Sequence, residues 1–144
     1  MKPLKKFDLE ELLEEQKADP RYIYLAAPYS HADPLIVDAR VEVINQVAGE
    51  LMGRGLYVFS PISHCHPIAR AVGLPGSFAY WQSYNRVMLC GALAIVVLTL
   101  EGWVVSTGVT GELEIADTIE IPGYQLSILD ALDLDLTGRK IAFD

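Results

Sequence analysis

One glutamate in this sequence follows small and hydroxylated residues in a pattern that suggests chemistry. An apolar strand leads into a predicted helix through the segment Ser106-Thr107-Gly108-Val109-Thr110-Gly111-Glu112-Leu113. Glycines there let a ligand approach unpaired backbone N–H groups, and Ser106 adds a hydroxyl donor. Glu112 lies about one turn inside the helix, on the face of Gly108, where the helix dipole favours an ionised carboxylate. Such a carboxylate is either a potential nucleophile or a solvated first-turn side chain.

A second candidate group is the stretch His64-Cys65-His66, since imidazole and thiolate groups are good zinc ligands. In an extended segment the two histidines lie on one side and Cys65 on the other, and the sequence holds no further Cys or His cluster to complete four ligands. We therefore predict no metal site. Two interpretations stay open for each histidine, which either lines a substrate crevice or belongs to a plain loop.

The fingerprints of common nucleotide enzymes are absent from the sequence. No GxxxxGK[ST] occurs, and no GxGxxG opens the first core helix, which argues against a P-loop NTPase and a standard dinucleotide enzyme. We predict no cofactor. The net charge of −8 disfavours binding to nucleic acid, whose phosphates would be repelled. Residues 21–100 are nearly neutral, with five basic and four acidic side chains, so a small anionic ligand is compatible with that region.

The sequence predicts neither a membrane-spanning segment nor a secretion signal. Its longest uncharged apolar run, residues 87–100, is too short to cross about 30 Å of hydrocarbon. Acidic residues from Asp8 onward replace the apolar segment that a signal peptide needs. We expect a cytoplasmic protein without a membrane partner, in which Cys65 and Cys90 are reduced thiols.

The elements that position the candidate residues alternate between strands and helices. Apolar, β-prone runs cover residues 21–27, 56–59, 93–100 and 122–129, and helical periodicity covers 34–54, 77–91 and 108–119. A long loop rich in His, Pro and Gly is predicted from residue 60 to 76. This order predicts an α/β fold, a single flavodoxin/Rossmann-like three-layer domain with a four- to five-stranded, mainly parallel sheet.

Two segments lie outside this alternation. Residues 1–20 are predicted to be a helical appendage, with Asp8 as the N-cap of a helix that Asp19-Pro20 ends. Residues 130–144 form an acidic C-terminal extension, and residues 21–129 form the domain between them. Ligands of open α/β sheets bind beyond the carboxyl ends of the strands, so residues 28–31, 60–66 and 101–112 are expected to share one crevice.

An ordered set of motifs carries a resemblance to a known family. The motifs are Tyr22-Ile23-Tyr24-Leu25-Ala26-Ala27-Pro28-Tyr29, then Ser60-Pro61, Trp81 and Gly102-Trp103, then Ser106-x-Gly108-x-x-x-Glu112-Leu113-x-x-Ala116. Over residues 21–128 the chain resembles the nucleoside 2-deoxyribosyltransferase superfamily and, more narrowly, an uncharacterised bacterial and phage branch of it, a domain of unknown function. In that superfamily the helix glutamate attacks C1′ of a deoxyribosyl group, the base departs, and a second base or water releases the sugar.

The resemblance implies a set of site residues. Glu112 is the nucleophile, and Tyr24 is a catalytic residue beside it, although a core aromatic on the first strand explains Tyr24 equally well. The expected substrate-binding residues are Ala27, Pro28, Ser60, His64, Asn85, Ser106 and Gly108.

Two positions depart from the pattern of the transferases. Ser106 stands where transferases carry an Asp that contacts the sugar 5′-hydroxyl, which favours a 5′-monophosphate because a serine can donate to phosphate. Asn85-Arg86 stands where relatives often have an Asp that handles the base. Asparagine can hydrogen-bond a base but cannot transfer a proton to it, so acid assistance has to come from Glu101, His64 or His66.

We therefore expect an N-glycosyl hydrolase or transferase that acts on deoxyribonucleosides or their 5′-monophosphates, small molecules rather than nucleic acid. The alternatives are a catalytically weak or inactive nucleotide-binding protein of the same fold, and a small subunit whose role is assembly. A homo-oligomer, a dimer or tetramer, is expected because relatives complete a shallow crevice with a neighbouring subunit. Trp81 and Trp103 are equally suited to the core, a subunit contact or a base-stacking platform.

Overall fold

The computed structural model of the chain describes residues 2–131, and their framework is a sheet of five parallel strands. The strands are β1 (Lys5–Lys6), β2 (Ile23–Ala26), β3 (Val58–Phe59), β4 (Ala94–Leu98) and β5 (Gly123–Leu126). They lie in the order β1-β5-β4-β2-β3. The predicted α/β class and parallel three-layer architecture are confirmed.

Helices cover both faces of this sheet, which explains why β2 and β4 are buried along their whole length. The helices are α1 (Leu9–Ala18), α2 (Pro34–Gly53), α3 (Pro61–Val72), α4 (Phe78–Cys90) and α5 (Thr107–Thr118). Alternate β2 residues enter different cores, so that Leu25 packs with α1 and α2 while Tyr24 packs with α4 and α5. None of the helices in residues 2–131 has the length and hydropathy that a membrane span needs.

The N-terminal segment, predicted as a helical appendage, is joined to the sheet and the core. Its β1 pairs with β5 at one edge, and Leu12 of α1 is fully buried. Gln16 donates to the carbonyls of Arg21 and Tyr57 and accepts from the Tyr57 N–H. These bonds fix α1 beside the starts of β2 and β3. The predicted C-terminal extension lies, from residue 132 onward, outside the described residues.

The predicted loop at residues 60–76 is wrong, because most of it forms α3. Ser60 caps this helix by accepting from the N–H of Ser63, and Pro61 occupies the first turn, where a missing N–H costs nothing. Gly73 ends the helix in the left-handed conformation, with φ of 71°. Residues typical of loops here serve as the start and end signals of a helix. The two histidines at 64 and 66 therefore do not share one side as they would in a strand.

Helices α4 and α5 meet at a glycine. A Cβ built on Gly111 would overlap the ring of Phe78, so the close approach of the two helices requires the absence of a side chain there. Gly111 belongs to the Ser106–Leu113 motif, and its role is to dock α5 rather than to face a ligand. This contact fixes how closely α5, which carries Gly108 and Glu112, approaches α4.

We predict that Gly111→Ala destabilises the fold by about 1–3 kcal/mol, since overpacking forces side chains or backbone to shift. Gly49→Ala is the matched control, because nothing lies within 4 Å of its Cβ position in α2 and alanine favours a helix. Urea unfolding of both variants measures the difference. Equal stabilities of the two variants would contradict the docking role of Gly111.

Candidate functional site

A cavity opens at the carboxyl edge of the sheet, where the strand order reverses between β2 and β4. Its volume is about 1380 Å³, and it is lined by the segments that follow β2 and β4 and by residues of α2, α3, α4 and α5. Open α/β sheets bind ligands at this switch point. The predicted crevice is thus present as a cavity large enough for a nucleotide-sized molecule.

Glu112 forms part of the cavity wall, and its carboxylate is bonded to a residue of β2. It is only 6% exposed, and its Oε2 accepts a hydrogen bond from the hydroxyl of Tyr24, which is fully buried. Because Glu112 is buried, its interpretation as a solvated side chain in the first turn of the helix is wrong. Tyr24 is a core aromatic and at the same time the partner of this carboxylate, which makes its two interpretations compatible.

Burial controls the protonation of this pair. It raises the pKa of Glu112 from 4.5 to about 7, against the opposing effect of the hydrogen bond from Tyr24. Burial and the neighbouring Glu112 carboxylate raise the pKa of Tyr24, so its hydroxyl stays protonated as a donor. The sequence predicted an ionised carboxylate stabilised by the helix dipole, but desolvation outweighs that effect. The carboxyl group is half-ionised near neutral pH.

The start of α5 gives Glu112 an open side. Ser106 caps the helix by accepting from the N–H of Val109, and both Ser106 and Gly108 line the cavity. A Cβ on Gly108 would lie 3.8 Å from Ser106 Oγ and 4.0 Å from Glu112 Oε1. A glycine at this position therefore leaves free space beside the carboxylate and the serine hydroxyl.

The other predicted site residues divide into two groups. Ala27, Pro28 and Asn85 line the same cavity as Glu112. Ser60 is buried as the cap of α3, and the exposed His64 lies with its ring 5.9 Å from that of Phe59, so neither lines the cavity. Arg86 is exposed outside the lining as well. The binding roles of these residues stay predictions.

Two sets of contacts in the cavity wall were not predicted from the sequence, although His66 itself was a candidate site residue. Tyr29 Oη lies 2.6 Å from His66 Nδ1, and Arg40 donates to the carbonyls of Tyr29, Ser30 and Glu101 at 3.0–3.3 Å. Arg40 thereby ties the loop after β2 to the loop after β4. In the sequence, Arg40 is indicated only as a basic residue in the helix after the first predicted core strand. Basic residues at such positions are also common on helix surfaces, so this role could not be predicted.

The described residues 2–131 contain no group of three or more His, Cys, Asp or Glu side chains placed to hold a metal ion. His64 and Cys65, which gave the sequence its metal-like appearance, are separated by the helical path of α3: Cys65 lines the cavity and His64 does not.

Comparison with known proteins gives one family. A model described as a domain of unknown function, DUF1937, matches residues 21–127, which contain the cavity and every residue described as lining it. No curated protein matches the chain.

We predict that Glu112→Gln makes the protein progressively more stable than the wild type as the pH rises from 4.5 to 8. Between pH 4.5 and about 7 the folded wild type holds a proton that the unfolded chain has lost, so the Glu112 contribution to stability falls as the pH rises through this range and levels off above it. The full difference amounts to about 3 kcal/mol, because glutamine does not titrate. Urea unfolding at several pH values measures it, and parallel curves for the two proteins would contradict the raised pKa.

Proposed function

The chain belongs to the DUF1937 family of domains of unknown function, and we propose that it is an N-glycosyl hydrolase or transferase for deoxyribonucleosides or their 5′-monophosphates. The observation that carries this proposal is the buried Glu112 carboxylate, held by Tyr24 and open to the cavity. A carboxylate with this access can attack an electrophilic carbon. Membership of the nucleoside 2-deoxyribosyltransferase superfamily is part of the proposal and is supported by the motifs from Tyr22 to Ala116.

In the proposed first step, an Oε atom of Glu112 forms a bond to C1′ of the sugar while the bond from C1′ to the base breaks. The bonding electron pair leaves with the base. Only the ionised carboxylate attacks, and a pKa of about 7 leaves a substantial ionised fraction at neutral pH. The Tyr24 hydroxyl orients the carboxylate, and the space beside Gly108 admits the sugar. Water or a second base then releases the sugar from the ester.

The start of α5 and the cavity arginines support a 5′-monophosphate as substrate. A phosphate near Ser106 meets a hydroxyl donor and the N–H groups of the first helical turn, which favour anions. Arg40 and Arg70 also line the cavity and carry positive charge, of which the charge of Arg70 is paired with Asp38 at 2.6 Å. These groups favour the monophosphate over the unphosphorylated nucleoside.

A nucleotide-binding protein without turnover is the second candidate, and Asn85 is the observation that favours it. Asn85 lines the cavity, where an amide can bind a base but cannot give it a proton. Binding of a deoxynucleotide without release of its base would favour this candidate over an enzyme.

A homo-oligomer, a dimer or tetramer, is also part of this proposal. Leu35 and Val105 line the cavity and are 76% and 85% exposed, so apolar side chains surround its opening. A neighbouring subunit at the opening would cover them and exclude water from the site. The partner of the protein is otherwise a small molecule.

We predict that Glu112→Gln lowers base release by at least about 10³-fold while ligand binding persists, because the amide cannot form the sugar ester. Purified protein is incubated with deoxyribonucleosides and their monophosphates, and free base is measured by chromatography. Glu114→Gln is the matched control, since it makes the same change at an exposed position of α5. Tyr24→Phe is expected to lose rate by a smaller factor. Full activity of Glu112→Gln would remove Glu112 as the nucleophile.

We predict that Ser106→Asp weakens binding of a monophosphate by about 1–3 kcal/mol more than binding of the matching nucleoside, through repulsion between two negative charges. Ser106→Asn is the control, because Asn and Asp are both good N-caps and differ in charge. Calorimetry on the six pairs formed by the wild type and the two variants with the two ligands gives the ratio of affinities. Equal weakening of both ligands by Asp would mean that Ser106 is a helix cap without a phosphate contact.

A further inference from the structure

We propose that His66, positioned by Tyr29, is the base that activates water to release the sugar from Glu112. This inference rests on the proposed function and extends it, because it assigns the second half of the reaction to a residue and makes water the acceptor.

The fold brings His66 to the cavity from a different element than Glu112. His66 lies on α3 and lines the cavity, and Tyr29 approaches it from the loop after β2, with 5.5 Å between ring centroids and an edge-on angle of 75°. The preceding residue, Cys65, lines the same cavity. This turn of α3 therefore contributes to the cavity wall that also contains Glu112.

Other proton-accepting groups in the cavity wall are less suited to this step. Glu101 is exposed, and its backbone carbonyl is held by Arg40. His31 is exposed too, and its Nδ1 accepts from the N–H of Asp33, which places its proton on Nε2. The Asn85 amide cannot take a proton. His66 combines partial burial, a bonded partner and a place in the cavity wall.

The charges around His66 favour its neutral form. Burial and the positive charge of Arg70 lower its pKa, while Asp38 opposes them. Asp38 is bonded to Arg70 at 2.6 Å, and Tyr29 stays protonated because burial raises the pKa of its phenol. A neutral imidazole is the form that accepts a proton from water near pH 7.

The proposed step consumes one water molecule and the sugar ester on Glu112. The water oxygen forms a bond to C1′ while the ester bond between C1′ and Glu112 breaks, and its electron pair returns to the carboxylate. The water proton passes to Nε2 of His66 and then to the released base or to solvent. We assign the proton of the neutral imidazole to Nδ1, which donates to the Tyr29 oxygen at 2.6 Å. This tautomer leaves the Nε2 lone pair free, and the bond to Tyr29 stabilises the imidazolium that forms. Tyr29 is a positioning residue in this step.

The first experiment measures both half-reactions of His66→Gln with the deoxynucleotide that the wild type cleaves fastest. We expect a burst of about one base per protein, a mass increase of one deoxyribosyl phosphate on Glu112, and steady-state turnover roughly 10²–10⁴-fold below the wild type. His64→Gln is the matched control, because it removes the same group from α3 outside the cavity wall, and we expect a smaller loss. Equal losses in both variants, or no burst, would overturn the assignment.

Rescue by azide distinguishes a base role of His66 from a structural role, because azide cannot repair a structural defect. An anionic nucleophile needs no base, so azide is expected to restore release of the sugar from His66→Ala as a glycosyl azide, with little effect on the wild type. Absence of rescue would overturn the base role of His66 while leaving Glu112-dependent base release, and hence the proposed function, intact. Failure of the wild type to release any base would overturn both.

Nuclear magnetic resonance of the three histidines tests the hydrogen bond without turnover. Long-range correlations of the imidazole nitrogens are expected to show His66 neutral at pH 7 with its proton on Nδ1, and Tyr29→Phe is expected to redistribute that proton. Tyr29→Phe should also shift the pH profile of turnover. A proton on Nε2 in the wild type would overturn the proposed step.

Discussion

The hydrogen bond from Tyr24 to Glu112 joins strand β2 to α5 at the cavity wall, and the arrangement of the site depends on it. A carboxylate removed from water needs a donor, and Tyr24 supplies one from inside the core. The pairing fixes which face of β2 carries the hydroxyl, since Leu25, the next residue, enters the opposite core. A slip of one residue in the register of β2 would remove the donor and leave the carboxyl group buried alone.

Tight packing keeps the two partners in reach of each other. Gly111 lets α5 approach the ring of Phe78, and the strands β2 and β4 that underlie the site are wholly buried. Arg40 adds a second constraint, because it binds carbonyls of the loops on either side of the switch point. Loops are usually the most mobile part of an α/β fold, but here the loops after β2 and β4 are held by Arg40 of α2. A site on such rigid supports keeps the geometry that a reaction between positioned groups needs.

The sequence predicted the parts of this molecule that local pattern controls. The unbroken apolar run around Ala94–Leu98 indicated a buried strand, and the helical periodicity of residues 108–119 indicated the helix observed as α5. The segment from residue 60 to 76 misled the prediction because Ser60, Pro61 and Gly73 favour both loops and helix ends. The pair of Tyr29 and His66 depends on the docking of α3, which brings together residues 37 positions apart. The burial of Glu112 likewise follows from tertiary contacts that its own helix does not encode.

Burial shifts the pKa values of Glu112 and His66, two residues of the cavity wall, in opposite directions. This shared cause explains how one site can hold both protonation states that the proposed chemistry needs. Desolvation disfavours charge, so it raises the pKa of an acid such as Glu112 and lowers the pKa of a base such as His66. A fully solvated Glu112 would be ionised but strongly hydrated, and a sealed one with no donor would be neutral. The position at the wall, with Tyr24 behind and open space at Gly108, lies between these limits. Near neutral pH the cavity therefore holds a partly ionised Glu112 carboxylate and a neutral His66 imidazole. The proposed reaction needs both, the carboxylate to attack the sugar and the imidazole to activate water for hydrolysis.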